Sequence, residues 1–189
     1  MTRAIPNRVR RTPGAGLFLI ADPFLADPEF GRSIIFLVAH DEAGSIGFIL
    51  NRPGNTLAGA VFHGLPETHP VMHGGPVGKD HLFYIHTCPK VKEAMHIHNN
   101  LYWAGDPDHL QETLNMDILK PDELLVFHGY SGWGPGQLEA ELEEKSWILA
   151  QLDDKMLFVP PDQMWDLCLR ALGNPYRWMS LAPAHPQLN

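Results

Sequence analysis

A serine between glycines follows an apolar run in the second half of the chain, where a hydrolase would carry its nucleophile. The run Leu124–Phe127 is typical of a strand, and it leads into HGYSGWGPGQ, residues 128–137. A nucleophile elbow needs glycine two residues before and two residues after the serine. Around Ser131, Gly129 meets the first requirement, but Trp133 stands at the second position. The predicted helix also begins too late for an elbow, so we interpret Ser131 as structural and assign no catalytic residue.

The same glycine-rich segment offers a second chemistry, the binding of an anion at the start of a helix. A helix beginning near Gln137 would present free backbone N–H groups that carry partial positive charge. Glu139 and Glu141 fall in its first turn, however, and complement the helix dipole. We therefore favour a rigid loop that docks Trp133 against a sheet, with an ordered turn at residues 134–136 leading into the helix.

Eleven histidines raise the question of a metal site. His96 and His98 are two residues apart on a predicted strand and so share one face, and His81 and His86 border another strand. Neither a helical pair of histidines nor a cysteine cluster accompanies them, and the spacing of zinc ligands is lacking. We interpret these histidines as surface or pocket-lining residues, and we predict no metal and no cofactor.

Three segments supply the residues of a hypothetical ligand pocket. They are a strand end at Asn51, a tight turn at Gly74 and the glycine-rich segment. The full set is Asn51, Arg52, His73, Gly74, Gly75, His128, Gly129, Ser131, Gly132, Trp133, Gly134, Gly136 and Gln137. Asp22, Glu29 and Arg32, near the first connection between strands, form either a loop ion pair or the polar rim of such a pocket.

The elements that must position these residues follow from apolar runs and from Gly and Pro punctuation. We predict strands at Gly16–Ala21, Ser33–His40, Ser45–Asn51, Val71–Gly75, His81–His86, Ala94–Trp103, Leu124–Phe127 and Lys155–Val159. Predicted helices cover Leu57–Phe62, Pro107–Leu114 with Asp106 as cap, Gln137–Ala150, and Gln163–Leu172 between Asp162 and Gly173. Because the strands cluster as hairpins, they predict an α+β fold with a mixed, barrel-like sheet and flanking helices.

Length and charge narrow the class of protein. With 189 residues, 44% of them hydrophobic, we expect a single domain over residues 16–175. A flexible basic tail at 1–15 and a proline-containing tail at 176–189 would flank it. The net charge of −8 opposes contact with a phosphate backbone, so direct nucleic-acid binding is disfavoured and a protein partner is favoured.

Targeting features and cysteines indicate a compartment. No apolar run reaches the roughly 20 residues of a membrane helix, and the first residues lack the apolar block of a secretory signal. Cys88 and Cys168 lie far apart in sequence, and we interpret both as small core residues in a reducing environment. The sequence therefore predicts a cytoplasmic protein without membrane contact.

Three stretches carry a resemblance to a known family. They are GLFLIADPFLADPEFGRSIIFLVAHDEAGSIGFILNRP from Gly16, VMHGGPV from Val71, and HGYSGWGPGQLEAELEEKSW from His128. Together they resemble the YqgE/AlgH family of bacterial cytoplasmic proteins over about Gly16 to Gly173. The resemblance implies an α+β fold with a barrel-like sheet. Some members of the family carry the label of transcriptional regulator, but the family has no agreed biochemical activity and offers no catalytic residues to carry over.

Two functional interpretations stand at this point. The favoured one is a non-enzymatic regulator that acts through protein interaction. The alternative is a small-molecule or anion-binding protein, or an undiscovered enzyme, with a pocket beside the GWGPGQ loop. A deep cleft where the three segments converge would support the alternative, whereas an exposed apolar patch would support the regulator.

Overall fold

The computed structural model describes residues 8–174 and 176–181, and strands dominate this part of the chain. The strands are β1 (Arg8–Val9), β2 (Phe18–Ala21), β3 (Ile34–Asp41), β4 (Gly44–Ile49), β5 (Pro53–Leu57), β6 (Pro70–His73), β7 (Val77–His86), β8 (Met95–His98), β9 (Leu101–Trp103), β10 (Leu124–Trp133) and β11 (Trp147–Gln151). The helices are α1 (Pro107–Asn115), α2 (Gln137–Glu143) and α3 (Pro161–Leu172), with 3-10 turns at Ala58–Ala60, Pro121–Glu123, Asp154–Phe158 and Arg177–Leu181.

The strands form one mixed sheet whose hydrogen-bonded path stays open. Its order is β1-β11-β2-β3-β4-β10-β7-β9-β8, with β6 beside β10 and β5 beside β6. Only β6 and β10 pair in parallel among the described strands. The sheet bends until His98 of β8 packs on Phe36 of β3, with ring centroids 6.2 Å apart. The α+β class and the mixed sheet are confirmed, and the expected barrel character is a curvature without closure.

Strand β10 belongs to both halves of this bent sheet. Its first half pairs with β6 and β7, its last residues pair with β4, and a bulge separates His128 from Tyr130. Gly129 sits in the bulge with φ 68°. There the backbone of β10 passes so close to the end of β6 that a methyl group on Gly74 would overlap the Gly129 carbonyl oxygen. This close backbone approach therefore requires glycine.

The sheet packs into two hydrophobic cores. The larger core contains Phe18, Phe36, Phe48 and Phe127, all fully buried, together with α3. The smaller core lies under α1 and includes Val126 from β10. One cysteine sits in each core, both are free, and burial raises the pKa of the Cys168 thiol to about 12. The interpretation of the cysteines as core residues is confirmed.

The predicted helix Gln137–Ala150 is about half as long in the structure. It begins at Gln137, after an ordered turn at Gly134–Gly136, as expected, but α2 ends at Glu143 and the following residues form β11. Lys145 adopts φ 62°, a left-handed conformation that ends the helix. Pairing with β2 outweighs the local helical pattern, because the paired strand buries Trp147 and Leu149 in the larger core.

Other predicted elements also change when tertiary partners are present. Strand β4 ends at Ile49, two residues before the predicted end at Asn51. The predicted helix Leu57–Phe62 is wrong, because the unpredicted edge strand Pro53–Leu57 pairs with β6 and only Ala58–Ala60 forms a 3-10 turn. Proline is tolerated on such an edge. The predicted strand Lys155–Val159 is a 3-10 turn capped by Asp153, whose side chain accepts a hydrogen bond from the Lys155 N–H.

The glycine-rich loop and the strand Ala94–Trp103 were predicted with wrong boundaries. Strand β10 continues through Trp133, so residues 128–133 are strand and only residues 134–136 form the loop. The second segment divides into β8 and β9 around the Asn99-Asn100 turn. In both segments, the glycines or asparagines correctly indicated an interruption of regular structure, but they did not indicate how many residues it contains.

The chain ends and helix caps gave mixed results. Arg8–Val9, inside the predicted basic tail, pairs with β11, while residues 1–7 and 182–189 lie outside the described residues. The Asp106 carboxylate caps α1 by accepting the His109 N–H at 2.7 Å, and Gly173 ends α3, as predicted. Helix α3 begins two residues earlier than expected, with Pro160 and not Asp162 at its N-cap.

Glu141 of α2 fastens the helix to the sheet. Its Oε2 accepts hydrogen bonds from the indole N–H groups of Trp133 at 2.8 Å and Trp147 at 2.7 Å. Its Oε1 accepts one from Gln137 at 3.0 Å. Phe30 stacks on Trp133 and meets Trp147 edge-on, at centroid distances of 6.4 and 5.7 Å. One carboxylate thus joins the end of β10 to the start of β11.

We expect Gly74→Ala to lower the free energy of unfolding by at least about 2 kcal/mol, because the new methyl group meets fixed backbone. Gly14→Ala is the matched control, since no heavy atom lies within 4 Å of the added carbon, and it should change stability by less than about 0.5 kcal/mol. Urea denaturation checks both values. Equal losses of stability in the two variants would contradict the close approach of β10 to the end of β6.

Replacing Glu141 by leucine should lower the free energy of unfolding by about 2–4 kcal/mol, because two buried indole N–H groups lose their acceptor. Glu143→Leu, at an exposed position of the same helix, should cost less than about 0.5 kcal/mol. Denaturation followed by tryptophan fluorescence reports both stability and the indole environment. Similar costs for the two variants would rule out the proposed role of Glu141.

Asp154 should make stability depend on acidic pH. Burial raises its pKa, but hydrogen bonds from His98 and Asn99 and the charge of His98 outweigh that effect and leave the pKa lowered. A lowered folded-state pKa contributes stability above the unfolded pKa, and that contribution disappears as pH falls through the folded value. The stability difference between wild type and Asp154→Asn, measured by denaturation, should shrink below about pH 4. A constant difference would disprove this assignment.

Candidate functional site

The connection between β2 and β3 folds into a tight turn that fixes Glu29 at the surface. The Asp27 Oδ1 accepts hydrogen bonds from the N–H groups of Glu29 at 2.8 Å and Phe30 at 2.9 Å. The Gly31 N–H donates to the Asp27 carbonyl at 2.8 Å. An aspartate that bonds backbone N–H groups two and three residues ahead is a common device for stabilising such turns.

Asn51 and Arg52, two of the predicted ligand residues, hold this connection in place. The Asn51 side chain accepts the Ile34 N–H at 2.9 Å and donates to the Arg32 carbonyl at 2.9 Å. The Arg52 guanidinium donates to the Gly31 carbonyl at 2.8 Å. Both side chains therefore act on the backbone of the β2–β3 connection, and Arg52 brings its positive charge to the turn that carries Glu29.

His73 meets Glu29 at the end of β6. The His73 Nε2 and a Glu29 carboxylate oxygen form a hydrogen bond, and their side chains are 28% and 34% exposed. That hydrogen bond lowers the pKa of Glu29 against the opposing effect of partial burial. Electrostatic attraction to His73, Lys79 and Arg52 lowers the pKa of Glu29 further. The carboxylate is thus the negative centre of a basic neighbourhood.

His128 lies beside His73. The two residues are register partners on the parallel strands β6 and β10, so their side chains leave the same face of the sheet about 4.8 Å apart at the backbone. Leu82 is the partner of His128 on its other side. The His128 Nδ1 is buried and has no hydrogen-bond partner among the described residues. We call Glu29, Arg52, His73, Lys79 and His128 the polar cluster.

The predicted turn residues between these side chains form packed backbone. Gly74, Gly75 and Gly129 lie against one another, and a methyl group on Gly75 would overlap Tyr130. The Ser131 side chain is fully buried, and its hydroxyl donates to the Gly74 carbonyl at 3.1 Å. The three predicted segments thus converge, and backbone packs directly against backbone where they meet.

The remaining predicted residues lie around the start of α2. The Gly134 N–H donates to the Gln137 side chain at 3.0 Å, and the Gln137 N–H donates back to the Gly134 carbonyl at 3.1 Å. A cavity of about 420 Å³ is lined by Gly132 and Trp133, together with residues of β3 and β4. Of the thirteen predicted residues, two line this cavity, three belong to the polar cluster and the other eight belong to neither.

Metal coordination has no geometric support in residues 8–174 and 176–181, where no group of three or more His, Cys, Asp or Glu side chains is placed to hold an ion. His96 hydrogen-bonds the Asn99 carbonyl at 2.9 Å, whereas His98 pairs with Asp154 at 3.2 Å. A bulge between the two histidines interrupts the alternation that would have put them on one face. They serve separate contacts.

Sequence reasoning missed an exposed aromatic pair. Phe24 and Trp178 are 60% and 54% exposed, and their ring centroids lie 6.4 Å apart. Next to them is a cavity of about 700 Å³, lined in part by Asp22, Tyr176 and Met179. The available signal was an apolar residue between two Asp-Pro steps in ADPFLADP and a tryptophan in the predicted tail. Neither signal revealed that the two rings meet.

None of the described helices combines the length and the apolar character that crossing a membrane requires.

Comparisons with known proteins agree over nearly the whole chain. A family model described as AlgH-like matches residues 18–177. A UPF0301 protein of Cytophaga hutchinsonii is 38% identical over 178 residues, which cover 92% of this chain and 98% of the relative. A UPF0301 protein of Chlorobium limicola is 37% identical over 177 residues, covering 92% and 95%.

Two solved structures are similar as well. The solution structure of the AlgH protein from Pseudomonas aeruginosa aligns with a TM-score of 0.72 and 28% identity, covering 93% of this chain and 98% of that chain. A crystal structure of a Corynebacterium diphtheriae protein aligns with a TM-score of 0.75 over 90% and 93% of the chains, and at 22% identity it supports the fold alone. On the fold and these matches together, the chain belongs to the AlgH-like family, UPF0301.

Proposed function

We propose that this protein is a non-enzymatic regulator that acts by binding another protein at the surface around Phe24 and Trp178. The observation that carries the proposal is the exposure of two large aromatic side chains, 60% and 54%, in contact with each other. Aromatic side chains supply much of the binding energy at protein interfaces, and large exposed apolar patches mark such sites.

A cavity of about 700 Å³ lies next to the aromatic pair and can receive a side chain of the partner. Leu142, Trp147, Tyr176 and Met179 contribute apolar lining. Its volume falls within the range of sites that bury bulky apolar groups. An apolar anchor of the partner would enter this cavity while its neighbouring residues cover the aromatic pair.

The strand at the sheet edge suggests the form of the partner. Strand β1 ends the strand path, and no described strand pairs with its outer edge. Arg8 and Arg11 are exposed on this segment, and Arg11 also lines the cavity. An extended chain with carboxylates can add to a free strand edge and satisfy such arginines. We therefore take the partner to be an extended, acidic protein segment with an apolar anchor.

The regulatory role and the cytoplasmic location are part of the same proposal. A net charge of −8 opposes the phosphate backbone of nucleic acid, which favours regulation through a protein over direct DNA binding. Two buried free cysteines suit a reducing compartment such as the cytoplasm. The AlgH name of one similar structure belongs to that protein and adds no activity of its own.

The test uses a photo-crosslinking residue at position 24 and, as a control, at Met116, which is 68% exposed on another part of the chain. Cross-linking in source-cell extract should give a protein adduct at position 24 that is absent at position 116. The adducted protein is then purified. Phe24→Ser combined with Trp178→Ser should weaken its binding, measured by calorimetry, at least about thirtyfold, as expected for central aromatic contacts.

Met116→Ser should leave that affinity unchanged and provides the matched control for a lost exposed apolar side chain. Equal binding by the double variant and wild type would overturn the proposal. So would an adduct consisting of a second copy of the same chain, together with a concentration-dependent dimer in ultracentrifugation. Melting temperatures of all variants establish that a loss of binding is not a loss of folding.

A further inference from the structure

We propose that the polar cluster is a binding site for a phosphate-type oxyanion, which takes the place of the Glu29 carboxylate as the hydrogen-bond partner of His73. The site is separate from the aromatic pair and does not depend on the function proposed above.

The strand register supplies two nitrogen ligands side by side. His73 and His128 are partners on parallel strands and project from one face, at a backbone spacing of about 4.8 Å. Two oxygens of one tetrahedral oxyanion can reach two donors at such a spacing. The Gly74 N–H donates a hydrogen bond to the His128 carbonyl at 2.9 Å, and this bond, next to both residues, holds the two strands at that spacing.

The local charge is opposite to that of the whole protein. Arg52 and Lys79 carry fixed positive charges whose influence reaches Glu29, which is the negative member of the cluster. With neutral histidines the cluster therefore has an excess of one positive charge, in a chain of net charge −8. Clustered cationic donors of this kind recognise phosphate oxygens.

One ring nitrogen of the cluster has no hydrogen-bond partner among the described residues. The His128 Nδ1 is buried and has no hydrogen-bond partner among the described residues, although buried polar atoms usually have one. His73, in contrast, is satisfied by Glu29, a carboxylate on a side chain that is 34% exposed. Glu29 occupies the position of an anion and can rotate outward into solvent when a stronger oxyanion arrives. Its removal should therefore improve binding.

The probe is inorganic phosphate, titrated at constant ionic strength so that salt screening stays equal. Long-range ¹H–¹⁵N spectra should show saturable shifts of the His73 and His128 ring nitrogens, with those of His63 unchanged. Glu29→Gln should lower the phosphate Kd about tenfold, because a competing and repelling carboxylate is gone. Lys79→Gln should raise the Kd at least about fivefold, whereas Lys90→Gln, at an exposed position, should leave it unchanged.

Three results would overturn the proposal. They are the absence of saturable shifts at His73 and His128, an unchanged Kd in Glu29→Gln, and equal weakening by Lys79→Gln and Lys90→Gln. Because Glu29→Gln predicts a gain of affinity, a misfolded variant cannot imitate the expected result. The Phe24 and Trp178 double variant should bind phosphate like wild type, which separates a failure of this site from a failure of the proposed function.

Discussion

The close approach of β10 to the end of β6 is the constraint on which the architecture depends. At Gly74, Gly75 and Gly129 the two backbones approach so closely that no side chain fits between them. This approach lets β10 pair with β6 and β7 in its first half and with β4 in its second half. The parallel pairing of β6 with β10 next to these glycines sets His73 and His128 side by side. Fold and candidate site therefore share one physical cause.

The GWGPGQLE segment, which draws attention in the sequence, is chiefly a structural device. Glu141 collects hydrogen bonds from two tryptophans and a glutamine, so the short helix α2 is tied to the strands on both sides of it. Ser131 supports a carbonyl at the end of β6. These contacts account for a serine, a carboxylate and two indoles that would otherwise suggest chemistry. Two surfaces lie outside these contacts, one at the aromatic pair and one at the polar cluster.

Two such surfaces differ in physical character. The aromatic pair and its cavity expose apolar area beside arginines, which suits a macromolecular partner. The polar cluster gathers donors around one carboxylate, which suits a small anion. The two sites use different residues, so each can be removed without the other. A protein that bound both ligands would have the two inputs needed for coupling between metabolite and partner.

Local sequence determined the β3–β4 hairpin, the Asp106 cap of α1, the turn at Gly134–Gly136 and the burial of both cysteines, because each depends on neighbouring residues or on strong apolar preference. It also marked Arg52, His73 and His128 as candidates. Tertiary structure alone decided that residues 147–151 form a strand, that Glu29 reaches His73 and that Phe24 meets Trp178. Glu29 and His73 are 44 positions apart in the sequence, and Phe24 and Trp178 are 154 positions apart. Such pairing depends on which strands become neighbours, and local patterns of apolar residues carry no information about that choice.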